Sequence, residues 1–450
     1  LYVPEDNPLR AEIPAAPAVA EVMKDFQGKA LVSAAEAFDP SQANIDARTK
    51  LLRFGGLKVA LLAKKNRGET VDVSLALRLG DEKSLFGKKT AAMAAGEMLS
   101  RGTTKYTREA LSDELERLKV SGSVGGTGAS FQTTRPNLEA ALRLAAHVLK
   151  EPSFPEKEFE QLRNQSITRI QSQLAEPNAR ASEALARHFN AYPKGDWRYS
   201  PTMEESLANV KAVTLEEARR FHREFYGAGT AEIAIVGDFD EERVAALLKE
   251  LFEGWKSPVP FAHVPVRHGD IAPAKLQVDT PDKENAILLA RQNLDMTDTD
   301  PDYPALYIAN YILGGGAGLD SRLGERLRQK DGLSYAAGSG LTVPAIDRAA
   351  AWNAYAIAAP QNIAKVEAGL QEELARALKD GFTEAELANA KSGAIQQRVQ
   401  ARAQDGTLAG GWVFYRHHDR TFAFSKLFED RIQALTVAQV NAALRKHLDP

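Results

Sequence analysis

The sequence predicts an α+β fold made of two similar domains, each a mainly antiparallel sheet covered by helices. Three observations lead there. Short segments of alternating apolar residues are interleaved with longer segments of helical periodicity. The strand-like segments fall in hairpin-like groups, without the strict β-α-β alternation of a parallel sheet. The second half of the 450 residues also repeats the pattern of the first.

Taken in order, residues 1–17 carry Pro4, Pro8, Pro14 and Pro17 and read as an extended arm. A short helix fits 18–37. A strand pair is expected at 57–63 and 71–79, joined by a turn at 66–68. Helices fit 87–100, 108–119, 137–150 and 155–178, with a Gly/Ser/Thr-rich β-like stretch at 121–134. Further helices fit 180–190, 203–210 and 214–225. A strand at 231–236 and a helix at 241–252 close this half. Residues 256–266 hold Pro258, Pro260 and Pro265 and form the clearest linker.

The repeat rests on three matches in one order. Residues 71–81 match 285–295, F-P-E-K-E-F from Phe154 matches F-T-E-A-E-L from Phe382, and 213–218 matches 435–440. The resulting division is an arm or linker at 1–50, a first domain at 51–255, a linker at 256–266 and a second domain at 267–450. The first copy continues past its last matching helix into a strand and a helix. The second is expected to lack that strand.

Composition removes several functions. With 57 basic and 60 acidic residues, no general nucleic-acid-binding surface is expected. There is no cysteine, hence no disulfide, thiolate metal site or cysteine nucleophile. No apolar run approaches the roughly 18 residues of a membrane span. The first residue is Leu1, and a Pro/Ala-rich start fits a processed periplasmic protein or, alternatively, a trimmed cytoplasmic one.

The segment richest in chemistry is LGGGAGLDSRLGERLRQKDGLSYAAGS, residues 313–339. Its local reading is helix punctuation. The glycine-rich run 314–318 ends one helix, Asp320 caps the next, and Gly332 ends that one before a strand at 333–337. Arg328 then falls on the last helical turn and Tyr335 at the start of the strand. A fixed cation and a phenol donor that converge suit an oxygen gaining negative charge. The glycine run lacks the Lys-Ser/Thr of a phosphate-binding loop.

These residues resemble the second-domain signature of the pitrilysin/insulinase family of zinc peptidases: a Gly-rich stretch, S-R-L (Ser321-Arg322-Leu323), L-R (Leu327-Arg328) and G-L-x-Y (Gly332-Leu333-Ser334-Tyr335). The resemblance implies that Arg328 and Tyr335 are catalytic residues reaching toward substrate at a zinc. It also implies that Gly314, Gly315 and Gly316 belong to a substrate-contacting loop. The zinc motif of that family is H-x-x-E-H on a first-domain helix, followed by Gly-Thr, with a later Glu as third ligand. Counting back from Gly102-Thr103, this chain reads Met93-Ala94-Ala95-Gly96-Glu97. Both histidines and the catalytic Glu are absent, and no carboxylate occurs from Gln161 to Ala175, where Thr168 and Arg169 stand. No metal site is expected in this chain, and His417-His418-Asp419 has the wrong spacing to replace one.

The function expected from the resemblance is that of a non-zinc subunit of a heterodimeric zinc endopeptidase, inactive alone. It would close a chamber around unfolded or short peptides and supply Arg328 and Tyr335 to the zinc site of a homologous H-x-x-E-H partner. That partner is either a separate chain or an upstream half of the same polypeptide. The alternative is a non-catalytic scaffold or core subunit of a larger assembly.

Overall fold

A computed structural model describes residues 35–316 and 321–448. The expected N-terminal arm, and the helix expected over 18–37 as far as residue 34, lie outside these residues. Residues 35–37 are not helical.

The first half runs α1 (Gln42–Arg48), β1 (Lys50–Phe54), β2 (Leu57–Ala63), β3 (Thr70–Ala76), α2 (Lys89–Met98), α3 (Arg108–Arg117), β4 (Ser121–Gly125), β5 (Gly128–Thr134), α4 (Leu138–Lys150), α5 (Glu156–Gln173), α6 (Pro177–His188), α7 (Met203–Ala212), α8 (Leu215–Phe225), β6 (Glu232–Gly237) and α9 (Glu241–Phe252). The second half runs β7 (Ala286–Leu294), α10 (Tyr303–Asn310), short helical segments at Tyr311–Gly315, Arg322–Gly324 and Glu325–Lys330, β8 (Ala336–Thr342), β9 (Ala350–Ala358), α11 (Ile363–Asp380), α12 (Glu384–Arg402), α13 (Asp405–His417), α14 (Phe422–Ala434) and α15 (Val437–His447).

Helix starts follow their sequence signals. Thr202, Thr214, Thr383 and Thr436 each form a reciprocal capping box with the Glu or Gln three residues on. The helix expected over 155–178 breaks at Leu174, and Pro177 opens α6 at a position where a missing N–H costs nothing.

From β3 to α8 and from β7 to α15 the order of elements is the same. The first sheet has the order β1-β2-β6-β3-β5-β4 and the second β7-β9-β8, so β3-β5-β4 and β7-β9-β8 share one topology. Every pair is antiparallel except β2 with β6. The expected pairing of β2 with β3 does not occur. β6 lies between them, parallel to β2 and antiparallel to β3. The six-residue connection at 64–69 is long enough to step across an intervening strand, roughly two 4.8 Å spacings. All six residues of β6 are buried, as a central strand requires.

Each sheet packs one face on its own helices. Leu57, Val59, Val73 and Ile235 of the first sheet meet Leu142, Phe221 and Leu248. Trp352, Ala354 and Ala356 of the second meet Leu306, Val366 and Leu374. The other face of the first sheet is covered from across the chain. Leu408, Ala409, Trp412 and Val413 of α13 bury against Ala60, Leu62, Ala234 and Val236. Polar ties fix both ends of this helix: Lys64 Nζ to Asp405 at 2.5 Å, and His417 Nδ1 to the buried Glu232 at 2.9 Å. Packing therefore crosses the 256–266 connection that separates the two repeats. The counterpart of α13 in the first half, α6, lies against β7 but has no fully buried residue. Among the described residues no helix is long and apolar enough to cross a membrane.

Candidate functional site

The candidate turn is built on two short π-helical segments, Tyr311–Gly315 and Glu325–Lys330. Their wide turns close with i to i+5 bonds: the Gly316 N–H donates to the Tyr311 carbonyl and that of Asp331 to the Arg326 carbonyl, both at 3.1 Å. No composition signal marks π-helix, and the sequence reading missed it. Gly318 and Asp320 lie outside the described residues. Ser321 caps the following helix, its hydroxyl accepting from the Gly324 N–H at 3.3 Å.

Gly332, at φ +63°, reverses the chain after the second π-segment. The Leu327 carbonyl then accepts from both Leu333 N–H (2.9 Å) and Ser334 N–H (3.1 Å). The expected strand at 333–337 begins later, at Ala336. Tyr335 is the last residue before it, its N–H donating to the Ile357 carbonyl at 2.8 Å. Ser334 is buried beneath the turn, its hydroxyl between the Ala336 and Ile357 carbonyls at 2.6 and 2.8 Å.

Arg328 and Tyr335 are thus one residue beyond Leu327 and Ser334, the two residues that clamp the turn. Both side chains are exposed, Tyr335 to 63%. Neither makes a hydrogen bond or ion pair among the described residues, so a guanidinium and a phenol stand on one braced turn with their donors free. Gly314 packs on β8, where an added Cβ would meet Ser339 N at 2.6 Å; at Gly315 it would meet the Asn310 side chain at 2.3 Å. These two glycines are required by packing whatever else they do. Gly316 sits beside the Tyr311 ring.

The helix compared with the zinc motif is α2. Met93 and Glu97 are exposed on its outer face, one turn apart. Gly96 is buried, and a Cβ there would lie 3.0 Å from Gly126 Cα in the β4–β5 turn, which is pinned by a Gly126 N–H to Gly96 carbonyl bond of 3.0 Å. A methionine, a glycine with no room for a side chain and a lone carboxylate do not fit a zinc site. Among the described residues no three His, Asp or Glu side chains converge to hold a metal ion. Thr168 and Arg169 stand on the exposed face of α5 in a shallow concavity that also includes Gln161, Asn164 and Gln165.

The histidines have structural partners. His417 bonds Glu232, and His418 Nδ1 lies 2.8 Å from the Phe414 carbonyl. His263 is exposed and pairs with Asp347 at 2.9 Å. His222 is packed on Phe154 and Tyr226 and bonds the Leu149 carbonyl at 2.8 Å; burial pushes its pKa down.

Residues 212–394 match the peptidase M16 inactive domain, a span that contains Arg328 and Tyr335. Zinc protease PqqE of Helicobacter pylori is 24% identical over 229 residues, covering 48% of this chain and 50% of that protein. The chain thus spans about half the length of that relative. An uncharacterized zinc protease of Mycobacterium leprae is 26% identical over 326 residues, 70% of this chain and 69% of that one. The crystal structure of a peptidase M16 inactive domain from Pseudomonas fluorescens has the same fold, with a TM-score of 0.74 at 24% identity over 89% of this chain and 95% of that chain. The periplasmic protease PqqL from Escherichia coli aligns with a TM-score of 0.73 at 16% identity, over 98% of this chain and 48% of that chain. Residues 212–394 of this chain are therefore similar to the inactive domain of the M16, or pitrilysin/insulinase, peptidases.

Proposed function

We propose that this chain is a non-zinc accessory member of a peptidase assembly, inactive alone. In this reading it closes a chamber around unfolded or short peptides together with a homologous zinc-bearing H-x-x-E-H chain, to whose site it offers Arg328 and Tyr335. The observation that carries the reading is the pair itself: two exposed donors with no partner among the described residues, on a turn clamped from beneath by Leu327 and Ser334. A phenol donates to an oxygen that gains negative charge, and a guanidinium holds a peptide carbonyl or carboxylate in a fixed orientation. The glycines 314–316 are the proposed substrate-side loop next to it.

The test is Tyr335→Phe in the assembled complex. Loss of one such donor lowers kcat by about 10²–10³-fold, and unchanged turnover would sink the assigned role. The chain alone is expected to cleave nothing.

A second reading, a scaffold or core subunit with no part in proteolysis, is favoured by the inactive-domain match and by the ill-fitting positions at Met93, Gly96 and Glu97. Affinity capture from the native source separates the two. A co-purifying H-x-x-E-H chain supports the first, and an assembly without one supports the second. PqqL is about twice as long as its aligned region, which supports considering the partner as another half of one polypeptide; intact mass of the native product decides. PqqL is a periplasmic protease, and this likeness is the basis for proposing the same compartment here.

A further inference from the structure

The outward face of α5 carries Lys157, Gln161, Asn164, Gln165, Thr168 and Arg169, which line a shallow concavity along the helix. Lys157 and the Gln161 side chain make no hydrogen bond or ion pair among the described residues. The Asn164 side-chain amide is likewise uncommitted among the described residues; its main-chain carbonyl accepts from the Thr168 hydroxyl. Arg169 has only a 3.4 Å contact with Ser166 Oγ. Arg101, at the end of the turn that follows α2, bonds Gln165 at 3.1 Å, so the C-terminal end of α2 borders the same face. Of the carboxylates at the start of α5, Glu158 pairs with Arg101 and Arg108 and Glu160 with Arg163, while Glu156 at the first position has no ion pair among the described residues. None follows until Glu176. Glu97 likewise has no ion pair among the described residues.

We propose that this face binds an extended acidic peptide. Side-chain amides donate and accept in the way an extended main chain requires. Lys157 and Arg169 stand at either end without a carboxylate partner. Twelve residues of helix separate them by about 18 Å, the length of roughly five to six extended residues. A ligand with carboxylates at both ends of such a segment matches the charge of the face. The inference names a substrate class for the proposed function and rests on it only for the statement that the bound peptide is substrate. Binding is measured on this chain alone, so its failure is distinct from failure of the catalytic reading.

The experiment is fluorescence anisotropy with a fluorescein-labelled octapeptide of alternating Glu and Ala, against a Lys/Ala octapeptide and an octanucleotide. The acidic peptide is expected to bind, with affinity falling at 0.5 M salt. The double variant K157E/R169E should weaken it at least tenfold, Gln161→Ala should weaken it less, and Glu97→Gln should leave it equal or tighter. All four residues are exposed, and circular dichroism checks that the variants fold. Equal binding of the Lys/Ala peptide, unchanged affinity in K157E/R169E, or equally tight binding of the oligonucleotide would overturn the proposal.

Discussion

Replacing Trp412 by alanine tests whether α13 ties the two halves together. Trp412 is 1% exposed and packs between the β2–β6 surface, where its neighbours are Ala60, Leu62, Ala234 and Val236, and the Phe422 ring, whose centroid is 5.0 Å away at a 72° angle. Truncating a buried Trp to Ala costs about 3–5 kcal/mol. Here the upper part of that range applies, because one wall of the cavity is a hydrogen-bonded sheet of small side chains that cannot collapse inward. About 4 kcal/mol corresponds to roughly a thousandfold in the unfolding equilibrium. Two comparisons isolate the cause. The Trp412 Nε1–H has no partner among the described residues, so Trp412→Phe keeps most of the packing and removes an unsatisfied donor; its expected cost is about 1 kcal/mol. Tyr355 lies on the open face of the second sheet at 43% exposure, and Tyr355→Ala is expected to cost less than about 1 kcal/mol. Urea unfolding followed by circular dichroism measures all three. Beyond the midpoint, Trp412→Ala should split one transition into two as the halves lose their coupling. A cost below about 1 kcal/mol, or equal to that of Tyr355→Ala, would refute the assignment of α13 as the tie.

Other outcomes follow from the same physics. Glu429 is buried and accepts from Arg402, Arg398 and Gln42; burial pushes its carboxyl up, but these donors together outweigh it and hold the pKa below the ordinary value. Glu429→Leu leaves the buried Arg402 without its carboxylate partner and should cost about 3–5 kcal/mol in the same urea assay. Gly96→Glu forces a side chain against the Gly126 backbone and should cost about 1–3 kcal/mol; M93H/G96E/E97H should still hold less than one equivalent of zinc by elemental analysis, since α5 supplies no third carboxylate after Glu160. His222 has a folded pKa below its ordinary 6.5, so the unfolded chain takes up its proton first and stability falls as pH drops below about 6.5. His222→Gln should flatten that part of the stability profile. Arg328→Ala and Tyr335→Phe should leave stability within about 0.5 kcal/mol, because neither side chain is buried.

Local signals in the sequence were legible where local physics decides. The Thr and Glu/Gln pairs at 202/205, 214/217 and 383/386 mark helix starts that form as capping boxes. The hairpin at 121–134 forms from its Gly and Ser alternation. Gly332 ends its helical segment at the expected place. What the chain does across long separations was not legible. β6 follows β3 by more than 150 residues and still enters between β2 and β3, a choice made by the burial of all six of its residues and not by any turn. The apolar edge of α13 announces burial but not that its cover is the other half's sheet. At the candidate site, the glycines and the Arg328/Tyr335 pair stood out by residue type. The π-turns and the bracing by Ser334 did not, because both depend on which carbonyls meet after the chain has folded back.

The firmness of α13 also constrains how a chamber could work. Four apolar side chains anchor the helix on the first sheet, Lys64 and Asn66 hold Asp405 at its start, and Glu232 holds His417 at its end. Opening the two halves of this chain against one another would expose Trp412 and break the Lys64–Asp405 and His417–Glu232 pairs, Glu232 keeping only Arg78. Uncovering the Trp412 site costs several kcal/mol, too much for a motion repeated at every substrate. Under the proposed function the chain therefore moves as one body, and access to Arg328 and Tyr335 is set by the second chain swinging away from it. The pair's exposure fits that role: two donors fixed on a rigid turn keep their geometry while the other wall arrives and leaves. Tethering a partner to this chain should then stop turnover, while a cross-link confined to this chain between α13 and β6 should leave it unchanged.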